Sequence, residues 1–278
     1  MSFDLCYHKS KKKLNVHTER GCCIMGTLSR PVEMTNLESI LEKNTDIKYS
    51  ERWHPTTVYN FEAVLSRGAY VGMNKELRKN IAYSLQYLQF LQMEFDEIHW
   101  HDVVATQIIK TYIITAMSII EGVFHHLVVS NGYQKKLDWK EIDTPRHTNV
   151  FREGDIDKKF IITTQMKLSK PENVQMDFEY LITKVQEKKL ISLPGKSYPK
   201  LKALKRLRNK VHLHVIRYDN DTDYLGISYY DYLLARYFLY TILTDKIFAP
   251  QKNSAIDFIK LSEEQINSVV EASSENDT

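Results

Sequence analysis

Glycine is scarce in this chain: nine residues in 278, too thinly spread for a glycine-rich loop that wraps a nucleotide phosphate. Cysteine is scarcer. Cys6, Cys22 and Cys23 cannot frame a disulfide scaffold, and an adjacent pair lacks zinc-finger spacing, so a reducing, cytoplasmic compartment is expected. Long apolar runs are missing too. The longest uncharged run in the central helix, Thr111 to Ile120, is about half of what a membrane span requires, and a soluble protein with no membrane association is expected. In place of a signal peptide, Met1–Lys13 is polar and ends in a basic cluster, Lys9, Lys11, Lys12 and Lys13, which reads as a mobile charged terminus. No serine or cysteine nucleophile motif appears. His99 and His101 flank Trp100, and His125 and His126 are adjacent, so neither pair has the i, i+4 spacing of a helical zinc site. Neither a metal nor a cofactor is expected.

One absence is local and more telling. From Lys188 to Tyr218 there is no Asp or Glu, while Lys and Arg number ten; beyond Lys260 the sign reverses, with Glu263, Glu264, Glu271, Glu275 and Asp277 unaccompanied by a cation. The net charge of +3 hides this asymmetry. A basic block of this length suits contact with a polyanion, here RNA, through Lys202, Lys205, Arg206, Lys210 and Arg217.

The apolar share of 43% is ample for a core. Residues 1–70 read as a small, mixed α/β N-terminal extension. It holds a hairpin over 14–25, turning at Glu19–Gly21, and a short helix capped by Thr35–Asn36. From Asn74 the helical period takes over. A helix capped by Asn74 runs to about Ile98, with Leu77, Ile81, Leu85, Leu88 and Leu91 inward. A longer one spans Asp102–Ser130, with Ile109, Ile113, Ala116, Ile120, Val123 and Leu127 inward and Ser118, Glu121 and His125 along one edge. Asp138–Asp157 reads as a polar loop, followed by short helices near 158–168 and 174–189, the second with Phe178, Leu181, Ile182 and Val185 inward. Ile227–Phe248 is apolar nearly all round, hence buried or at an interface, and Ser262–Val270 is a further amphipathic helix. Strands have little part after residue 70. The predicted class is mainly α, with a helical body over 71–250 and an acidic helix and tail over 251–278.

The stretch that organises this body is 201–217, LKALKRLRNKVHLHVIR. Drawn as a helix, its apolar stripe holds Leu201, Leu204, Val211 and Val215, and Arg208 falls in the middle of them. A guanidinium has no neutral form at ordinary pH, so an inward face must offer it a carboxylate, a phosphate or water. Glu121, beside the apolar stripe of the long helix, is the candidate carboxylate. Within RLRNKVHLH (206–214) two arginines, an amide and two histidines lie together, a set suited to phosphodiester chemistry without a metal. An imidazole can move the proton of a ribose 2′-hydroxyl or of the leaving 5′-oxygen, and a guanidinium can grip the phosphate and offset its growing charge.

This segment resembles the motif of the HEPN superfamily, the higher eukaryote and prokaryote nucleotide-binding helical domains, many of which are ribonucleases in defence and toxin systems. Their signature is an Arg, often followed by a polar residue, then four to six residues to a His. Arg208–Asn209 with His214 fits; Arg206 with His212 fits the spacing but lacks the polar residue and points to solvent. The resemblance implies a HEPN-like helical bundle over roughly 74–250 and an endoribonuclease of single-stranded or loop RNA. His214 would transfer the proton, with His212 as second histidine, Arg208 would hold the phosphate, and Asn209 and Glu121 would orient it. On a straight helix Arg208 and His214 would lie about 120° apart, so one chain could not aim both at one phosphate. In families this resembles, two domains meet symmetrically and each supplies an Arg and a His. A homodimer about a twofold axis is therefore expected, with a regulatory or antitoxin partner.

Overall fold

The computed structural model describes residues 53–142, 147–153, 155–211, 214, 216, 219, 221–251 and 254–271. The chain divides into two compact units, Met1–His54 and Pro55–Thr278; the architecture below is that of the second. The hairpin and capped helix expected within residues 1–52 lie outside the described residues, as do Glu275 and Asp277 of the tail. The division puts α1 (Val58–Val64) and the turn Gly68–Tyr70 with the helical body, and α1 packs on the helix that follows.

The body is mainly helical, as the apolar periods require. α2 (Lys75–Glu97) starts at Asn74, whose side chain accepts from the backbone N–H of Leu77, and it buries Ile81, Leu85, Leu88 and Leu91. α3 (Asp102–Ser130) is the centre. All six residues of its expected stripe are buried, and α2 packs along it. Its length and hydropathy are those a membrane span also needs, but half of its most apolar window is buried against protein. α4 (Phe178–Glu187) is capped by Asp177 and turns Phe178, Leu181, Ile182 and Val185 inward onto α3. α5 (Ser197–Arg208) buries Leu201 and Leu204 on the same helix. α6 (Asp223–Gly226) is a single turn. α7 (Tyr229–Leu243) opens on a capping box between Ser228 and Asp231 and is buried on most of its circumference by α3, α5 and α8 (Glu263–Glu271). In α8, Ser262 and Gln265 exchange the same pair of capping bonds.

Residues 136–173 depart from the sequence reading. The polar loop expected over 138–157 and the helix near 158–168 are instead two nested antiparallel pairs. β1 (Lys136–Glu141) pairs with β4 (Gln165–Asn173), and β2 (His147–Glu153) pairs with β3 (Ile156–Ile162). The strands carry charge on nearly every second residue, which masked their β-branched and aromatic members, and the ribbon is exposed along β1 and most of β4. In the outer pair the register jumps from Leu137↔Glu172 to Trp139↔Lys167, and residues 168–171 absorb the excess. Pro171, which has no N–H to give a ladder, sits in that irregular stretch.

Candidate functional site

The organising helix is shorter than its wheel suggested. α5 ends at Arg208, and Asn209–Val211 form one 3-10 turn. Val211, placed inward by the wheel, is 52% exposed. Low helix propensity accounts for the stop: an asparagine stands at 209, and the β-branched Val211 and Ile216 that follow lose rotamer freedom in a helix. Lys205, Arg206 and Arg208 occupy the last turn, where cations offset the negative end of the helix dipole. The early stop also removes the geometric case for two copies. The 120° separation assumed a straight helix through residue 214, and none exists.

Arg208 reaches back to α3. Its Nη2 donates to Glu121 Oε2 at 2.6 Å, with side chains 30% and 26% exposed. The anomaly is thus answered by the carboxylate that the sequence offered. Glu121 is one of only three charged residues in α3, with Asp102 and Lys110. Lys110 was missed by the sequence reading, although a lone cation beside Ile109 and Ile113 was its signal. Lys110 Nζ donates to Asp223 Oδ2 at 2.7 Å, and Gln107 Nε2 reaches the same oxygen at 3.4 Å. Lys110 and Glu121 are eleven residues apart, which on a helix means one face and about 16 Å of axis. Lys110 and Glu121 of the central helix therefore hold one segment, gripping it at Asp223 and at Arg208.

Between those grips a third pair closes the segment on itself. Lys210 Nζ donates to Asp221 Oδ1 at 2.6 Å, with side chains 14% and 1% exposed. Gly226 makes room for that lysine, since a Cβ there would stand 2.4 Å from Nζ. His214 is exposed within the closed stretch. His212 and Arg217 lie outside the described residues. Asn209 is half-buried just past the end of α5. Of the other edge residues of α3, Ser118 donates its hydroxyl to the Ile114 carbonyl, and His125 is exposed.

Half of the basic block is answered from within the chain, at Lys200, Lys202, Lys205, Arg208 and Lys210. Lys202 and Lys205 both reach Glu179, at 2.7 and 2.8 Å, and these two hydrogen bonds hold its carboxyl below the usual range. Lys200 Nζ donates to the Val269 carbonyl. Arg206 is exposed, as the wheel placed it. Among the described residues, no three His, Cys, Asp or Glu side chains are grouped to hold a metal ion. Comparison with protein-family models, with curated proteins and with solved structures gives no match to the chain. The site is read from its own residues.

Proposed function

We propose that the chain is a metal-independent endoribonuclease of HEPN type, cutting single-stranded or loop RNA in the cytoplasm as part of a defence or toxin system. The observation that supports this is the pairing of Arg208 with Glu121 at the rim of the bundle. The bond to Glu121 uses one terminal nitrogen, and a guanidinium carries five N–H donors, so the outer edge can meet a phosphate while the inner edge stays fixed. In the reaction the 2′-oxygen bonds to phosphorus as the bond to the 5′-oxygen breaks. A histidine, His214 with His212 as its second, takes the 2′-proton, and a protonated imidazole delivers one to the departing 5′-oxygen. Arg208 offsets charge on the non-bridging oxygens, Glu121 and Asn209 fix its orientation, and Arg206 with Arg217 tracks the backbone. Unpaired RNA is favoured because in-line attack needs a flexible strand. A homodimer follows from the family resemblance alone.

A direct test is purified full-length chain incubated with an unstructured RNA in EDTA. The expected products end in 2′,3′-cyclic phosphate and 5′-hydroxyl. Arg208→Ala and His214→Ala each lose cleavage while circular dichroism stays native; full activity in both variants removes the catalytic assignment.

A second reading, a non-catalytic RNA- or partner-binding helical module, is favoured by a different observation. Lys202, Lys205 and Lys210 already hold carboxylates, as a structural Arg208 holds Glu121. In that case Arg208→Ala lowers the melting temperature and the wild-type chain cleaves nothing.

A further inference from the structure

A second feature lies on other elements. A cleft of about 390 Å3 runs between α1 and the segment that follows α7, a size ordinary for a small-molecule site. Among the described residues, Arg67 is the one charged residue lining it. This side chain is half-buried, and among the described residues its guanidinium has no hydrogen bond or ion pair. A cation so placed, with no carboxylate among the described lining residues, offers the cleft a point of attraction for an anion.

The neutral walls sort by what they have left to give. Thr56 is held through its backbone by Gln86 and Gln89, and its Oγ1 accepts from Gln89 Nε2, which leaves the hydroxyl proton to donate. Ser254 Oγ accepts from the N–H of Ile256 at 3.3 Å, which leaves its own proton to donate. The amide of Asn60 adds donors on the α1 side. Val64, Leu243 and Phe248 line the same cleft and supply its apolar floor.

That floor is rigid. The Tyr70 ring stacks on Phe248 with centroids 3.8 Å apart, and His126 Nε2 donates to the Ala69 carbonyl at 2.8 Å. Gly68 (φ +49°) passes so close to Ile247 that a Cβ would meet its carbonyl oxygen at 2.5 Å. Ala249, on the cleft wall, caps the turn Lys246–Phe248 in a left-handed conformation at φ 48°, ψ 57°.

We propose that this cleft binds a phosphomonoester with an apolar body, its phosphate on Arg67, Asn60 and Ser254 and its body on Val64, Leu243 and Phe248. A donor set spread over three side chains suits a tetrahedral head, and the floor accepts a ring or short acyl group. The site stands apart from Arg208 and does not depend on the ribonuclease reading.

Isothermal titration of the full chain with phenyl phosphate, inorganic phosphate and phenol tests it. Phenyl phosphate is expected to bind at least tenfold more tightly than either fragment. Arg67→Gln is expected to weaken it tenfold or more with an unchanged circular dichroism spectrum, and Lys170→Gln, on the exposed β4, to leave it unchanged. The proposal fails if phenyl phosphate shows no saturable binding, if inorganic phosphate binds as well, or if Arg67→Gln and Lys170→Gln behave alike.

Discussion

Arg236 on α7 and Arg208 at the end of α5 are both cations among leucines, and the chain treats them differently. Arg236 is 6% exposed, lies over the Tyr232 ring at 5.4 Å, and donates through Nη2 to the carbonyls of Phe258 and Lys260. Its work is to satisfy backbone that turns toward α8, and no ligand can reach it without opening the core. Arg208 is 30% exposed and faces a carboxylate that is itself at the rim. An interior cation bound to fixed carbonyls is structural, whereas a rim cation bound to one carboxylate keeps donors for an incoming anion. Position on an apolar stripe is therefore a poor guide to function; the kind of partner and the access decide.

The sharpest way to break this contrast is to remove each guanidinium in turn. Arg236→Ala leaves two carbonyls without a donor, at about 1–3 kcal/mol each, and should lower the melting temperature by several degrees without touching a phosphate contact. Arg208→Ala should cost less than about 1 kcal/mol of stability, as partly exposed pairs do, yet reduce RNA cleavage by about 10²–10³, the cost of one lost donor to developing charge. Thermal denaturation and cleavage assays on both variants check this. Equal loss of stability in the two would make Arg208 structural as well.

A smaller effect is expected from the clasp. Asp221→Ala leaves the Lys210 ammonium without the 2.6 Å carboxylate, and the chain should lose about 1–3 kcal/mol, below the figure for a fully buried pair because lysine can reach water. If the clasp sets the position of His214, cleavage falls in Asp221→Ala and Lys210→Ala alike, and the double variant is no worse than either. Additive losses in a double-mutant cycle would separate the clasp from the chemistry.

The smallest effect belongs to Glu179. Its carboxyl pKa is lowered in the folded chain, first by the Lys202 hydrogen bond and then by that of Lys205. Stability from this source is thus present above the unfolded value of 4.5 and is lost as pH falls through the lower folded value. Because the carboxylate is well exposed, Glu179→Gln should change stability by less than about 1 kcal/mol. The same variant frees two ammonium groups. It should tighten binding to a single-stranded oligonucleotide and steepen its salt dependence; an unchanged salt slope, measured by fluorescence anisotropy, would show that this face meets no RNA.

Much of the helical body was legible because its residues repeat at 3.6. The Asn74 cap, both ends of α3 and the inward faces of α2 and α4 follow from local rules that tertiary contacts did not override. The ribbon at 136–173 was not legible: exposed strands need no apolar alternation, and their charges imitate a loop. The end of α5 was half legible. Wheel geometry found Arg208 and named Glu121, but carried the helix past Asn209 into residues that resist it.

The sequence alone determined which helices form and which faces they bury, since periodicity and capping act within a few residues. Only the tertiary structure decided what the charges do. It joined Glu121 to Arg208 and Lys110 to Asp223 across about a hundred residues of chain, and it spent part of a basic block on carboxylates that no linear pattern connects to it. Ion pairing depends on distances in space, and those exist only once the bundle has closed.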